Sequence, residues 1–169
     1  MNSQHLNEKK SHLGVDYFEK MHIIKNRKED EVAIMLIQFN FKNFRSFREE
    51  ATLDLSATKM TEFSERVVTI GREKILPVAA IYGANASGKS NIYSAFEYMA
   101  EYVVDSFKYG DEEEKFEEYR PTPFLFDSTS ADAESSFEVY FTIPGDKNEK
   151  TYNYGFCVDQ EGVTEEWLN

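Results

Sequence analysis

Ile37, Phe39 and Phe41 alternate with Gln38, Asn40 and Lys42, a period of two that predicts a strand with its three large apolar side chains on one face. A turn over residues 43–46 follows, and residues 51–56 and 66–70 read as further strands. Residues 75–82 are almost continuously apolar, the pattern of a strand buried on both faces, with Pro77 limiting its start. After a glycine-rich stretch, Ile92, Phe96, Met99, Val103 and Phe107 recur at steps of three and four. That spacing predicts a helix of about five turns with one apolar stripe toward the sheet. Gly110 should end it, the acidic run at 111–118 reads as a solvated linker, and residues 127–136 have the composition of a loop. Phe137, Val139, Phe141 and Ile143, then Tyr152, Tyr154, Phe156 and Val158, alternate on either side of residues 144–150. This is a β-hairpin with a long connection. Gly162 marks a turn before a last strand at 163–168. Residues 1–34 are polar, carry all three histidines (His5, His12, His22) and show no sustained period. They are expected to form a poorly ordered extension ahead of a domain at 35–169, with Met35 a candidate natural start.

Composition adds limits to this picture. Hydrophobic residues make up 41% and aromatics 15% of the chain, enough for a packed core and against global disorder. The formal charge is −12, from 31 acidic and 19 basic side chains. The average field therefore repels phosphate backbones and disfavours DNA binding by this chain alone, while leaving room for a local basic patch. Cys157 is the single cysteine, so no internal disulfide can form. Together with the lack of an apolar run of spanning length, this points to a cytoplasmic protein with no membrane partner.

The chemistry lies in Gly83-Ala84-Asn85-Ala86-Ser87-Gly88-Lys89-Ser90, which fits the phosphate-binding pattern G-x-x-x-x-G-K-[ST] between an apolar run and an amphipathic helix. Gly83 and Gly88 allow backbone angles and a close approach that a Cβ would block, so successive N–H groups can wrap phosphates. The helix start adds its positive end. Lys89, the candidate catalytic residue, is placed to reach the β- and γ-phosphates, and the Ser90 hydroxyl can ligate magnesium. ATP and Mg²⁺ are the expected cofactors.

The string Tyr82-GANASGKSN-Ile92 resembles the phosphate loop of SMC/RecF-type ABC ATPases, and LIQFNFKNFRSF at 36–47 looks like that family's first strand and turn. Within that family the likeness is strongest to bacterial AAA-type ATPases of abortive-infection and phage-defence systems, over about residues 36–169. The resemblance implies an α/β P-loop fold whose N-terminal lobe sets antiparallel strands beside the P-loop strand and helix. It also implies a turn lying over the nucleotide, with Arg45, Ser46 and Asn91 as candidate contacts. The alternative for Arg45 is a surface ion pair with Glu49 or Glu50. Phe44 and Phe47 could approach adenine, although aromatics in such a turn are more often core.

Hydrolysis in that family also needs a second acidic magnesium ligand, a signature motif and a switch histidine. None is found. Phe124-Leu125-Phe126-Asp127 only mimics a Walker B strand, since Pro121 and Pro123 precede it and Ser128 stands where Glu should. Gln160 lies in a turn and is assigned no role, and the scattered His and Cys give no zinc spacing. The expectation is thus the front half of a head, truncated before Walker B, that binds ATP and barely hydrolyses it. The missing C-terminal half and an ATP-dependent head dimer are the implied partners, with a nuclease and DNA implied by resemblance alone. A non-catalytic nucleotide-binding or interaction module is the alternative, and a P-loop kinase or GTPase is weaker because no N-K-x-D follows.

Overall fold

The computed structural model describes residues 34–57, 64–109, 119–143 and 150–169. The polar extension up to residue 33, the acidic run from Gly110 and the hairpin connection at 144–149 lie outside the described residues. Among the described residues seven strands form: β1 (Met35–Lys42), β2 (Ala51–Asp54), β3 (Val68–Ile70), β4 (Glu73–Ile75), β5 (Ser135–Thr142), β6 (Thr151–Val158) and β7 (Val163–Leu168). Two α-helices accompany them among the described residues, α1 (Lys89–Tyr109) and the single turn α2 (Ser128–Ala131), with a short 3-10 helix at Ser64–Arg66. Five strands pair antiparallel in the order β2-β1-β5-β6-β7, and β3 and β4 form a separate hairpin.

One face of the sheet is aromatic. Phe39, Phe41, Phe137, Val139, Phe141, Tyr154 and Phe156 are buried there against Ala95, Met99, Ala100, Tyr102 and Val103 of α1. Ring contacts join the layers, Phe39 to Phe96 at 5.3 Å, Tyr98 to Phe137 at 5.0 Å and Tyr102 to Phe156 at 5.0 Å. From Ile92 to Val103 the stripe predicted for the helix is the face that packs. Ile34, one residue ahead of the expected domain start, is itself buried in this core.

The opposite face carries a polar ladder centred on Glu138, whose carboxylate accepts from Asn40 Nδ2 at 2.9 Å, Asn153 Nδ2 at 2.8 Å and Trp167 Nε1 at 3.3 Å. Toward one end a second apolar cluster of Ile37, Ile70 and Ile75 seats the β3–β4 hairpin. The three apolar residues of β1 therefore do not share one face as their spacing suggests. Leu36 pairs with Phe141 and Gln38 with Tyr140, so Ile37 is the extra residue of a bulge and turns to the other side.

The apolar run at 75–82 also departs from expectation. Its strand ends at Ile75, and residues 77–82 are exposed, with Val78 78%, Ile81 44% and Tyr82 91% accessible. Leu76 N still donates to Leu55 O at 2.8 Å, but Pro77 has no N–H to continue a ladder. Among the described residues no strand pairs with the segment that follows. The P-loop is thus reached by an exposed segment that no described strand pairs with, rather than by a central strand. The predicted loop at 127–136 is likewise partly ordered into α2, and β5 begins at Ser135.

Candidate phosphate-binding site

The loop at 83–90 sits at the N-terminus of α1, which begins at Lys89. Gly88 has φ +87° and Ala86 φ +62°, left-handed angles that turn consecutive peptide groups inward. A Cβ at Gly83 would come within 2.8 Å of Ser87 Oγ, and one at Gly88 within 2.9 Å of Ser46 Oγ and 3.3 Å of the Phe47 ring. Gly83 is therefore needed for space, and Gly88 for space as well as for angle. Lys89 folds back into the loop, its Nζ donating to Gly83 O at 2.8 Å, Ala84 O at 2.6 Å and Ser87 Oγ at 3.4 Å. Ala84, Asn85, Ala86 and Ser87 are exposed around it, and Ser90 is exposed in the first turn of α1. An ammonium inside a ring of backbone groups, a hydroxyl one residue on and a helix N-terminus form a donor set that fits a magnesium–polyphosphate group.

The turn after β1 abuts this loop. Phe44 and Phe47 bond to each other through both backbone pairs, at 2.8 and 2.9 Å. Asn43 and Arg45 hold φ +52° and +51°, angles that cost a side-chain-bearing residue energy. Ser46 Oγ accepts from Asn91 Nδ2 at 2.8 Å, so two residues singled out as nucleotide contacts are bonded to one another. Arg45 is exposed and lies over the Phe44 ring at 5.3 Å, with no ion pair to Glu49 or Glu50. It is Arg48 that engages carboxylates, Glu49 at 3.5 Å and Asp127 at 3.2 Å. Phe44 is buried against Phe137, and Phe47 packs edge-on to Phe41, so both belong to the core.

Asn43 is what sequence reasoning missed. Its side chain, 3% exposed, donates from Nδ2 to Ser130 O at 2.8 Å, Ala133 O at 2.9 Å and Glu134 O at 3.2 Å, and accepts from Phe124 N at 3.0 Å. Ser135 Oγ donates to its carbonyl at 2.6 Å. Only the choice of Asn at a turn start, a residue tolerant of left-handed angles, hinted at it. Asp127 is the N-cap of α2, accepting from Thr129 N at 2.8 Å, Thr129 Oγ1 at 2.6 Å and Ser130 Oγ at 2.7 Å. Those bonds hold its carboxyl well below the usual carboxylate range. Gln160 Nε2 donates to Pro121 O at 3.3 Å, a tie between loops.

Residues 78–169, more than half of the chain, match the family model described as "AAA domain, putative AbiEii toxin, Type IV TA system". The chain belongs to this AAA family. It is an AAA-type ATPase domain of the abortive-infection class, and the matched span opens just ahead of the P-loop. Neither a curated protein nor a solved structure matches it. Membership makes the AAA domain a P-loop NTPase, here with an antiparallel sheet, and accounts for a nucleotide as its ligand. No helix among its described residues is long and apolar enough to cross a membrane.

Proposed function

We propose that this AAA domain binds Mg-ATP at residues 83–91 as the N-terminal lobe of an SMC/RecF-like ATPase head. Lys89 leaves the Gly83 and Ala84 carbonyls to meet the β- and γ-phosphates, while Ser90 gives its hydroxyl to the metal. Arg45 supplies a second positive charge from the adjoining turn. The observation that carries this reading is Lys89 Nζ inside a loop with left-handed Ala86 and Gly88, with Arg45, on the turn that abuts the loop, making no ion pair among the described residues. In a chain of net charge −12, two such cations beside one loop favour an anionic ligand. In the intact protein the ATP cycle serves a defence task, and a head dimer, a nuclease partner and DNA follow from the resemblance.

The engagement of Asp127 as a helix cap favours binding without turnover in the chain itself, since the carboxylate that mimics Walker B is already committed to α2. The second magnesium ligand is then a residue other than Asp127. Calorimetry with Mg-ATP, run beside phosphate release on the same sample, tests both statements. Heat of binding with negligible release is expected. Turnover lost in Lys89→Ala would show that a catalytic carboxylate is present, and no binding at all would sink the reading.

A further inference from the structure

The turn after β1 is bonded to two regions, the first turn of α1 and residues 122–134. On one side Ser46 Oγ meets Asn91 Nδ2 at 2.8 Å, one residue after the proposed magnesium ligand. On the other side Arg45 N donates to Thr122 O at 2.8 Å and Phe124 N donates to Asn43 Oδ1 at 3.0 Å. Asn43 Nδ2 extends the second set to Ser130, Ala133 and Glu134. A displacement of the first turn of α1 therefore reaches residues 122–134 through Ser46 and the turn.

The contact is close and directional. Gly88 leaves the Ser46 hydroxyl just enough room, since a Cβ there would approach it to 2.9 Å, and the turn carries two strained left-handed residues on either side of Phe44. Backbone strain of this kind persists only where surrounding bonds over-determine it. The bonds that do so at this turn include the reciprocal Phe44–Phe47 backbone pair, the Arg45–Thr122 bond, the Asn43 set and the Ser46–Asn91 pair.

We infer that Asn91 is a positioning residue that acts through Ser46: it fixes the 43–48 turn, and with it Arg45, against the phosphate loop, so that nucleotide binding is transmitted to residues 122–134. The inference rests on the proposed binding of Mg-ATP at the loop. The Asn91 side chain serves the turn rather than the ligand, in contrast to the direct contact that its place in the motif suggests.

Amide hydrogen exchange on the full chain, with and without Mg-ATP, tests this, because the Arg45 and Phe124 amides are bonded outside any strand or helix and both report the bonds between the turn and residues 122–134. In the unaltered chain, saturating Mg-ATP should slow both amides by about fivefold or more. In Asn91→Ala the slowing should fall below about twofold, and ATP affinity should drop by only about three- to tenfold, the range of one lost hydrogen bond. Without ligand, Arg45 should exchange faster in Asn91→Ala than in the unaltered chain. Ser46→Ala should reproduce both effects, the double variant should be no worse than either single one, and Ser46→Thr, which keeps the hydroxyl, should restore the response. Binding of Mg-ATP with no change at either amide overturns the coupling and leaves the binding site standing. Loss of all binding in Asn91→Ala with Ser46→Ala silent also overturns it, since Asn91 would then touch the nucleotide itself. A calorimetric blank with the unaltered chain overturns the proposed function, and the inference with it.

Discussion

Lys89 is engaged before any ligand arrives, with two loop carbonyls and a serine hydroxyl around its ammonium. Lys89→Ala removes the mobile charge aimed at the phosphates, and ATP affinity should fall by about a hundredfold in calorimetry, the cost of one charge-assisted contact set. Arg45 allows a cleaner separation of binding from stability. Its φ of +51° suits glycine, so Arg45→Gly should leave the melting temperature of the ligand-free chain unchanged or slightly raised while weakening ATP binding by about three- to tenfold. A fall in melting temperature equal with and without ATP would mean that Arg45 serves the fold. Asn43 is the opposite case, because its side chain satisfies three carbonyls and one amide. Asn43→Ala strands those groups and should cost about 2–4 kcal/mol in urea unfolding, with little change in the slope of the transition.

The elements can be ranked by how far their pattern alone defined them. The β5–β6 hairpin and α1 follow directly from periods of two and of about 3.6, because each buries one continuous apolar face, whereas β7, exposed except for half-buried Trp167 and Leu168, was marked by the turn at Gly162. β1 was legible as a strand but not in its facing, since a bulge is a property of the pair β1–β5 and leaves no mark in β1 itself. The run at 75–82 was legible as apolar but not as unpaired, for the same reason. In the site, the glycines, Lys89 and Ser90 could be read from the motif, whereas the Ser46–Asn91 pair and the role of Asn43 depend on a turn that brings distant residues together. Two element-level outcomes can be measured. A Cβ at Gly155 would collide with the Trp167 indole and come within 2.8 Å of Phe137 O, so Gly155→Ala should destabilise by about 1–3 kcal/mol, only partly recovered by Trp167→Leu. Burial pushes the Cys157 thiol from an ordinary 9.0 to about 11, and burial followed by the charges of Asp159 and Glu166 pushes the Tyr102 hydroxyl from 10.0 to about 12. The unfolded chain then ionises first as pH rises, so stability should be level at neutral pH and decline between about pH 9 and 12. Cys157→Ala should delay the onset toward pH 10.

At the scale of the whole molecule, 31 acidic against 19 basic side chains set a repulsive average field for nucleic acid. Fluorescence anisotropy with a short DNA duplex at physiological salt should show no binding by this chain, with or without Mg-ATP. Tight binding would reveal a basic patch outside the described residues. The fold itself joins an aromatic core between α1 and the sheet to a small isoleucine cluster on the reverse face, and β1 contributes to both.

That shared strand has a consequence for insertions and deletions. With Ile37 as the supernumerary residue, its removal would bring Leu36 next to Gln38 and restore simple alternation, leaving Phe39 and Phe41 where they are. Removal of Gln38 would leave Ile37 opposite Tyr140 and restore alternation as well, whereas the same deletion at Asn40 would throw a phenylalanine onto the polar side. Reading-frame-preserving loss of a codon is thus tolerable in β1 only at the bulge, and for Ile37 its damage is confined to the seat of the β3–β4 hairpin. Because that hairpin leads into the approach to Gly83, such a variant would keep its sheet and lose the fixed footing of its phosphate loop.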